Sequence, residues 1–350
     1  MNVAPKKLSF LNDLPFDVRS ARFIEFFEAH LSDLLTELDS EVRGFALDVA
    51  LSGGKRIRPL LTFHFAGHNI DSQDSLIKAS AILELVHLAT LIHDDILDDA
   101  EVRRNLPSLH KKIGSHAAVL LGDSLFGYAL ELAAQFPTTR ICAIVAEATR
   151  KTCSGEIRQT FSRGRTDVSL DEYLSFVHGK TGELFKASCE IGAYLSGADE
   201  ETIQVAGKFG LSLGINYQVF DDLIDSFESQ SNIDKSIGSD LDTGKMTLPL
   251  ILLRDIATVD ELSRFDDLFS SPRESINLHT KRAFVHSLLD KYDILNVCVQ
   301  YFHSHLEETY ALIEQLPSDA LKSDLFLFLQ SFSAKFKKLN NLKTCNFLAV

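Results

Sequence analysis

The chain has 350 residues, 45% of them apolar, and a formal net charge of −14 from 35 Lys and Arg against 49 Asp and Glu. Because nucleic acids and anionic membrane surfaces repel an acidic chain, we expect neither as a partner. No uninterrupted apolar run approaches the ~18–20 residues of a transmembrane segment, and the N-terminus lacks the pattern of a secretory signal. The five cysteines form no C-x-x-C pair. These features predict a cytoplasmic protein with reduced thiols and no transmembrane segment.

Apolar residues recur at a spacing of three to four along nearly the whole chain, which is typical of helices. The predicted helices are 21–50, 74–99, 116–135, 138–161, 170–194, 200–227, 247–257, 281–295 and 297–315. No alternating strand of useful length appears, and the breaks between helices are too short to be interdomain linkers. The pattern predicts one all-α domain over residues 1–350, with a motif-bearing core at about 40–260 and C-terminal helices at 260–350.

The first polar motif in the chain is a basic turn, Gly53-Gly54-Lys55-Arg56-Ile57-Arg58-Pro59. The two glycines permit close approach of the backbone to a ligand, and Pro59 can open the next helix. A diphosphate could bind to the cations of this turn. The alternative interpretation is a helix C-cap followed by solvated charges.

The predicted helix 74–99 carries an acidic cluster, Asp94-Asp95-Ile96-Leu97-Asp98, whose first and last Asp share one helix face. Carboxylates this close raise each other's pKa unless cations bridge them. Hard oxygen ligands suit Mg²⁺, which takes one or two carboxylates and completes its shell with water and substrate phosphate. His87 lies on the same stripe. The small residues Ala89 and Thr90, about one turn before Asp94, would open an apolar slot below the metal.

Two arginines, Arg103 and Arg104, follow this cluster. A guanidinium beside a metal cluster is a natural phosphate clamp because it binds two oxygens at once. For an isolated D-D-x-x-D motif, a solvated and salt-bridged helix end would be an equally good interpretation. The second acidic cluster makes that interpretation much less favoured.

The second cluster, Asp221-Asp222-Leu223-Ile224-Asp225, has the same D-D-x-x-D form within an apolar helix. Before it in the chain, Lys180 and Thr181 provide a cation and a hydroxyl for a phosphate. After it, Lys235 and Lys245 flank a polar segment that could close over a bound phosphate and exclude water, unless it is an ordinary surface loop. Together the two clusters predict a phosphorylated substrate held between two helices through metal ions.

Taken in order, these motifs resemble those of the trans-isoprenyl diphosphate synthases, the polyprenyl synthetase family. The resemblance covers about residues 40–260 and rests on G-G-K-R-I-R-P at 53–59, E-L-V-H at 84–87, D-D-x-x-D with R-R at 94–104, G-D at 122–123, G-E-x-x-Q at 155–159, K-T-x-x-L-F at 180–185, Q-x-x-D-D-x-x-D at 218–225 and G-S-D-L-x-x-G-K-x-T-L-P at 238–249. It implies a bundle of long antiparallel helices around a central apolar cavity, the type I isoprenoid synthase fold. The implied reaction is the head-to-tail condensation of isopentenyl diphosphate with an allylic diphosphate.

The resemblance also implies a role for each matching residue. Three Mg²⁺ ions on the allylic diphosphate would be held by Asp94, Asp95, Asp98, Asp221, Asp222 and Asp225. The allylic diphosphate would also bind Arg103, Lys180, Gln218, Lys235 and Lys245. The diphosphate of isopentenyl diphosphate would bind Lys55, Arg58, His87 and Arg104. With Thr181 and Gln218 near the reacting carbons, the implied catalytic residues are Asp94, Asp95, Asp98, Lys180, Thr181, Gln218 and Asp221. A homodimer is the family expectation.

Three positions depart from the family pattern. Asn105 stands where Gly usually follows the two arginines, and Asn tolerates a left-handed backbone. Gly182 replaces the common Ala after Lys180-Thr181, and Arg158 places a charge where an apolar residue is usual. The C-terminal third matches weakly, so no role is carried over to it.

Product length in this family depends on the residues four and five positions before the first Asp, where bulky aromatics stop elongation early. Thr90 and Ala89 occupy these positions, and both are small. The spacing between Asp95 and Asp98 also lacks the insertion typical of bacterial short-chain enzymes. Both features resemble the long-chain synthases, which predicts a product of C30 or longer for quinone side chains. A C15–C20 farnesyl or geranylgeranyl diphosphate synthase is the alternative.

Two further functions are less favoured. A class I terpene cyclase usually lacks the second D-D-x-x-D and the G-G-K-x-R-x-P segment, and both are present here. A non-catalytic subunit paired with an active synthase tends to lose Asp or Arg from these motifs. Every charged motif position is retained in this chain.

Overall fold

Helices fill most of the chain. The computed structural model describes residues 11, 14–67, 73–104, 106–227, 238–270 and 277–346, the last twelve of these by their backbone alone. The helices are α1 (Phe16–Leu35), α2 (Ser40–Leu51), α3 (Ile57–Ala66), α4 (Gln73–Leu97), α5 (Leu109–Ile113), α6 (Ser115–Ala134), α7 (Arg140–Phe161), α8 (Leu170–Val177), α9 (Glu183–Leu195), α10 (Glu200–Phe227), α11 (Ser239–Asp242), α12 (Leu248–Ile256), α13 (Val259–Ser270), α14 (Leu278–Lys291), α15 (Ile294–Glu314) and α16 (Asp319–Asn346). A π-helix, His178–Gly182, joins α8 to α9.

Strands are almost absent from the part of the chain that the structure describes. The two-residue strands β1 (Val102–Arg103) and β2 (Leu106–Pro107) pair antiparallel, with Arg103 opposite Leu106. This small hairpin follows directly on the first acidic cluster. The prediction of an all-α fold is confirmed.

Two predicted helices are interrupted. The predicted helix 21–50 breaks between α1 and α2, where the Thr36 hydroxyl donates to the Asp33 carbonyl at 2.6 Å. Such local side-chain bonds compete with the helical ladder. The predicted helix 170–194 contains the π-helix, which places an extra residue in one turn at Lys180 and Thr181.

The chain divides into two compact units. Unit 1 comprises Met1–Arg150, Glu183–Leu211 and Leu312–Leu327, and unit 2 comprises Lys151–Gly182, Ser212–Ala311 and Phe328–Val350. The prediction of a single domain and of a central apolar cavity stays a prediction.

Unit 1 is built around α4, which packs chiefly on α6 and α3, while α3 also packs on α9. Its core contains aromatic residues of α1 and α3, with the Phe23 and Phe63 rings stacked at 4.3 Å between centroids. Close helix contact requires Gly192, because a Cβ there would lie 2.6 Å from the Thr62 carbonyl oxygen. Unit 1 therefore holds the first acidic helix in a dense apolar setting.

Within unit 1, a polar cluster joins the start of α16 to α1 and α3. His64, buried on α3, lies 3.1 Å from the Ser20 hydroxyl and 3.3 Å from the Asp324 carboxylate. Arg19 pairs with the same carboxylate. The trio has the residue types of a hydrolase triad, but the Phe16 ring stacks on His64 at 4.9 Å and covers it. Its role is to fix α16 against α1 and α3.

Unit 2 has its own aromatic core. The Phe332 ring on α16 lies 5.5 Å from Phe220 on α10 and 5.8 Å from Phe302 on α15. Within the same unit, Asn216 donates to the Thr309 hydroxyl at 2.9 Å. These contacts hold the second half of α10, which carries the second acidic cluster.

Two helices are long and apolar enough to pass a length-and-composition test for membrane spans: Gln73–Leu97 and Ser115–Ala134. In the first, 72% of the apolar window is buried inside the protein, as in a core helix, and in the second 44%. Since a soluble core helix passes the same test, the observation is weak evidence for a membrane.

Candidate active site

The first acidic cluster lies at the C-terminal end of α4. The helical turn continues through it, since the Asp98 amide donates to the Asp94 carbonyl at 2.9 Å. Asp99 then stops the helix in a left-handed conformation, at φ 49°. Asp94 and Asp98 remain partly exposed, whereas Asp95 is buried. Two carboxylates are thus accessible on one face, as the spacing predicts.

The buried carboxylate of the cluster already has a protein cation. Arg103 on β1 donates to Asp95 Oδ1 through Nε at 2.9 Å and also through Nη2. Burial lowers the pKa of Arg103, but the Asp95 hydrogen bond and the charges of the cluster outweigh this effect and raise it. Arg103 therefore stays charged beside the partly exposed carboxylates.

The second arginine of the hairpin holds the basic turn. Arg104 donates to the Ser52 hydroxyl at 3.1 Å and to the Gly53 carbonyl. Its guanidinium passes so close to Gly54 that a Cβ there would lie 2.9 Å from Nη2, and Gly54 has φ +148°. The positive φ favours glycine at this position, and the absence of a side chain leaves room for the guanidinium. The hairpin and the basic turn are thus joined within unit 1.

His87 lies in a strongly positive field. Burial, followed by the charges of Arg58, Arg104, Arg103 and Arg56, holds the pKa of His87 well below its ordinary value. The imidazole is therefore neutral at pH 7, and it can donate or accept a hydrogen bond. Four guanidinium groups around one neutral ring favour an anion of high charge.

The other predicted residues of unit 1 have distinct settings. Lys55 is exposed, and the Arg58 guanidinium lies 4.9 Å from the centroid of the Phe185 ring on α9. Ala89 is fully buried in the apolar core. Thr90 is partly exposed and donates to the His87 carbonyl at 2.8 Å. The length-setting role of these two residues stays a prediction.

The G-D motif at 122–123 supports the same helix end. A Cβ at Gly122 would lie 2.2 Å from Nε2 of His93, the residue just before the acidic cluster. Nε2 also lies 3.2 Å from the Val119 carbonyl oxygen. Only glycine leaves room for this ring, which packs α4 onto α6 beside Asp94.

In unit 2, a chain of hydrogen bonds links the K-T motif to the second acidic cluster. Thr181 donates to Gln218 Oε1 at 2.7 Å, and Gln218 Nε2 donates to Asp222 Oδ1 at 2.8 Å. Tyr173, fully buried on α8, donates to Asp222 Oδ2 at 2.7 Å. Thr181 and Gln218 thus lie together, and their predicted position near the reacting carbons stays a prediction.

Two carboxyl groups of the second cluster have raised pKa values. Burial, then the nearby charge of Asp240, raise the pKa of Asp222 to about 8 and that of Asp225 to about 6. Asp225 accepts from the Ser239 hydroxyl at 3.1 Å and from the Asp240 amide at 3.1 Å. Lys245, buried, lies 3.5 Å from Asp240. An added cation would relieve this concentration of negative charge.

Lys180 is held by the G-E-x-x-Q motif of α7. Its Nζ lies 2.5 Å from Glu156 Oε2 and donates to Gln159 Oε1 at 3.2 Å. The backbones cross closely, because a Cβ at Gly155 would lie 2.5 Å from the Lys180 nitrogen. The motif therefore positions the predicted phosphate-binding lysine.

The acidic side chains suit a divalent metal that prefers oxygen ligands. Among the described residues, no three His, Cys, Asp or Glu side chains are grouped closely enough to hold a metal ion by themselves. The donors are hard carboxylate oxygens, and those of Asp94 and Asp98 in the first cluster are partly exposed. In the second cluster, burial and neighbouring negative charge raise the pKa of Asp222. Such residues fit a metal that takes one or two carboxylates and completes its shell with water and phosphate.

Several supporting residues were missed at the level of sequence. Tyr173 holds Asp222 and has no local pattern that marks it. Glu156 and Arg56 stand inside the motifs G-E-x-x-Q and G-G-K-R-I-R-P, but no role was predicted for either. Glu84 likewise stands in a motif, E-L-V-H, three positions before His87. Of the departures from the family pattern, Gly182 is buried in the π-helix, and Arg158 is exposed and donates to the Ser154 carbonyl at 3.3 Å. Lys235 and Asn105 lie outside the described residues.

A family model described as polyprenyl synthetase matches residues 41–286. The chain belongs to the polyprenyl synthetase family. This polyprenyl synthetase is 32% identical over 290 residues to heptaprenyl diphosphate synthase component 2 of Geobacillus stearothermophilus, covering 81% of this chain and 88% of that protein. A polyprenyl synthase from Caulobacter crescentus CB15, crystallised with calcium and isoprenyl diphosphate, has a TM-score of 0.79 and 29% identity over 89% of this chain and 95% of that one. Geranylgeranyl pyrophosphate synthetase from Pyrococcus horikoshii Ot3 has a TM-score of 0.79 and 27% identity, covering 93% of this chain and 98% of that one.

Three predictions about this polyprenyl synthetase are thereby confirmed. They are its family, its type I isoprenoid synthase fold and its class of activity, a trans-prenyltransferase. The individual roles of the site residues remain to be tested by experiment.

Proposed function

We propose that this polyprenyl synthetase condenses isopentenyl diphosphate head-to-tail with an allylic diphosphate to make a long all-trans polyprenyl diphosphate, and that it requires Mg²⁺. The observation that carries the proposal is the positive field around His87, placed beside an acidic cluster with two accessible carboxylates. A reaction between two diphosphates needs cations that bind one diphosphate and carboxylates that hold metal ions on the other.

We assign the binding of isopentenyl diphosphate to unit 1. Lys55, Arg58, His87 and Arg104 would bind its diphosphate, with Arg104 also fixing the backbone of the turn. Because His87 is neutral, it can donate a hydrogen bond to a phosphate oxygen without adding a positive charge that the neighbouring arginines would repel. With its diphosphate bound in this way, isopentenyl diphosphate can use its double bond as the nucleophile.

We assign the binding of the allylic diphosphate to both acidic clusters together with the basic residues nearby. Bound magnesium would neutralise the negative charge that develops on the leaving diphosphate. The metal ions would be held by Asp94, Asp95, Asp98, Asp221, Asp222 and Asp225. Arg103, Lys180, Gln218, Lys235 and Lys245 would bind the same group. In a dry site, fixed cations of this kind stabilise developing negative charge strongly.

In this proposal, Thr181 and Gln218 are the side chains near the reacting carbons. Thr181 donates its own proton to Gln218, so its oxygen lone pairs stay available to a developing allylic cation. Loss of a proton after carbon–carbon bond formation needs a base, and the departed diphosphate can act as one. No Ser, Cys or His nucleophile is required.

Product length is proposed as C30 or longer. Ala89 is fully buried in the apolar core of unit 1, where a larger side chain would take space from a growing chain. The relatives include a heptaprenyl and a geranylgeranyl synthase, so length must be measured. Ala89→Phe is expected to shorten the product, and an unchanged distribution would remove Ala89 from this role.

One assay tests the activity as a whole. Purified protein, Mg²⁺, labelled isopentenyl diphosphate and allylic primers of C5 to C20 are incubated, and the dephosphorylated products are sized by chromatography. We expect elongation to C30 or beyond, abolished by chelator and restored by Mg²⁺. Absence of elongation with every primer would contradict the proposal, and products of C15–C20 would select the short-chain alternative.

We propose a cytoplasmic homodimer as the working form. Large apolar side chains are exposed on α6, with Leu120 67%, Leu130 46% and Val119 40% exposed, and a second copy of the chain could cover them. The name component 2 of one relative makes a non-identical partner subunit the alternative. Light scattering is expected to give twice the chain mass for the wild type and the monomer mass for Leu120→Glu. A monomeric, fully active wild type would contradict the proposal.

A further inference from the structure

The middle cation of the basic turn differs from its neighbours. Lys55 is exposed and Arg58 is partly exposed, but the Arg56 side chain is 0% exposed. A buried guanidinium cannot reach a substrate in solvent, so Arg56 has a different task from the two cations beside it.

Arg56 is bonded to three helices of unit 1. Its Nε donates to Glu28 on α1 at 3.0 Å, its Nη1 donates to Glu84 on α4 at 2.6 Å, and its Nη2 donates to the Ala50 carbonyl on α2. Glu84 is 3% exposed, whereas Glu28 is 38% exposed. Because a buried charge is costly unless paired and hydrogen-bonded, Glu84 is the essential partner.

The backbone of Arg56 shows what this pairing achieves. Arg56 is left-handed, at φ 46° and ψ 39°, immediately before α3. For a residue with a Cβ this conformation is unfavourable, so the surrounding contacts must impose it. The anchored side chain thus sets the direction in which the chain turns from Gly54 into α3, with Lys55 on one side of the bend and Arg58 on the other.

The anchor also gives the turn a register relative to His87. Glu84 and His87 are three residues apart on α4 and so share a face. Arg104 fixes the start of the same turn through the Gly53 carbonyl. The turn is therefore held at two points, one of them a single helical turn from His87.

We propose that Arg56 and Glu84 form a positioning pair that places Lys55 and Arg58 relative to His87, so that the three side chains bind one diphosphate together. The inference rests on the proposed function, because it takes that diphosphate to be the one of isopentenyl diphosphate. The pair touches no substrate. It acts through the cations that do.

The test separates positioning from folding stability. Glu84→Gln removes the buried negative charge, and the double variant Arg56→Met with Glu84→Leu replaces the pair by apolar side chains of similar size, a change that is often neutral for stability. The readouts are the melting temperature, kcat, the two KM values, and calorimetric binding of isopentenyl diphosphate alone. Asp324→Asn is the matched control, since it breaks a largely buried arginine–carboxylate pair elsewhere in unit 1.

We expect Glu84→Gln to raise the KM for isopentenyl diphosphate by about 10- to 100-fold, the usual range when support of a binding group is lost, with the KM for the allylic primer within about twofold. The double variant should regain the wild-type melting temperature yet keep the raised KM and the weakened calorimetric binding. Asp324→Asn should lower the melting temperature and leave both KM values unchanged.

Three results would overturn the proposal. They are a double variant with wild-type KM and binding, a double variant that does not fold, because the pair would then serve the fold itself, and equal rises in both KM values. Failure of the proposed function looks different. In that case the wild type elongates no primer and binds no isopentenyl diphosphate.

Discussion

The two acidic clusters share one spacing, D-D-x-x-D, but have opposite surroundings. In the first, the buried carboxylate of Asp95 accepts two hydrogen bonds from the guanidinium of Arg103. In the second, the buried carboxylate of Asp222 accepts from two neutral groups, the Tyr173 hydroxyl and the Gln218 amide. Asp95 thus has a charged partner, whereas Asp222 is hydrogen-bonded by uncharged donors.

The consequence appears in the proton affinity of the second cluster. Burial, with the charge of Asp240 next, raises the pKa of Asp222 to about 8. A spacing motif therefore tells which carboxylates share a helix face, but not which charges face them. An added cation would therefore stabilise the Asp222 carboxylate more than that of Asp95, which already bonds to Arg103.

The largest expected effect is a loss of activity, and it should be similar for the two clusters. Asp94→Asn and Asp221→Asn should each lower kcat by about 10²–10³-fold, because charge on the leaving group would lose its neutralisation. Single-turnover assays at saturating Mg²⁺ measure this loss. Asp99→Asn is the control, since Asp99 is exposed, pairs with Lys111 and has a left-handed backbone that Asn tolerates. A variant of either cluster that keeps a tenth of the wild-type kcat would break the comparison by showing that this cluster is dispensable.

The next effect should have opposite signs in the two clusters. In metal-free protein, Asp95→Asn is expected to lower the free energy of unfolding by about 1–2 kcal/mol, because Arg103 loses its charged partner. Asp222→Asn should cost nothing or increase stability above pH 8, since the folded state disfavours the Asp222 carboxylate. Urea unfolding in the presence of chelator measures both. Equal destabilisation by the two substitutions would contradict the difference in their surroundings.

The same contrast occurs away from the clusters and predicts opposite pH dependence. Asp324 is partly buried, which raises its pKa, but the hydrogen bond and charge of His64 and the charge of Arg19 outweigh burial and lower it. Stability from a lowered carboxyl pKa is present above the unfolded value and is lost as pH falls through the folded value. The melting temperature of the wild type should therefore exceed that of Asp324→Asn at neutral pH, and the gap should close below about pH 4. A gap that is constant with pH would show that the pairing contributes nothing to stability.

The smallest effect is expected at Glu190. Its pKa is raised by burial, with Lys186 lowering it and the charges of Glu183 and Glu147 raising it further. A carboxyl whose pKa is raised on folding loses stability as pH rises through the folded value. Glu190→Gln should therefore stabilise the protein at neutral pH, within about 1 kcal/mol, and the gain should vanish at pH values below the ordinary Glu pKa. A loss of stability at neutral pH would instead show that the ion pair with Lys186, 3.8 Å away, dominates.

Much of the helical architecture could be predicted from the sequence, because a periodicity of three to four residues follows directly from burial on one helix face. The predicted helix 200–227 agrees with α10 at both ends. The π-helix at Lys180 could not be predicted, since neither it nor the close approach of Gly155 to Gly179 beside it leaves a mark in the apolar periodicity. The break after Leu35 was also missed, because a Thr hydroxyl that bonds locally leaves no mark in the apolar pattern.

The sequence by itself determined the helices, the order of the motifs and the faces that carry carboxylates and cations, because spacing along a helix is a local property. Only the tertiary structure decided what each charge faces. Arg103 bonds to Asp95, Arg56 is buried on Glu84, and Tyr173 reaches Asp222 from 49 positions away. Since a charge in a protein is stabilised by whatever lies within a few ångströms in space, its behaviour depends on the fold that brings those neighbours together.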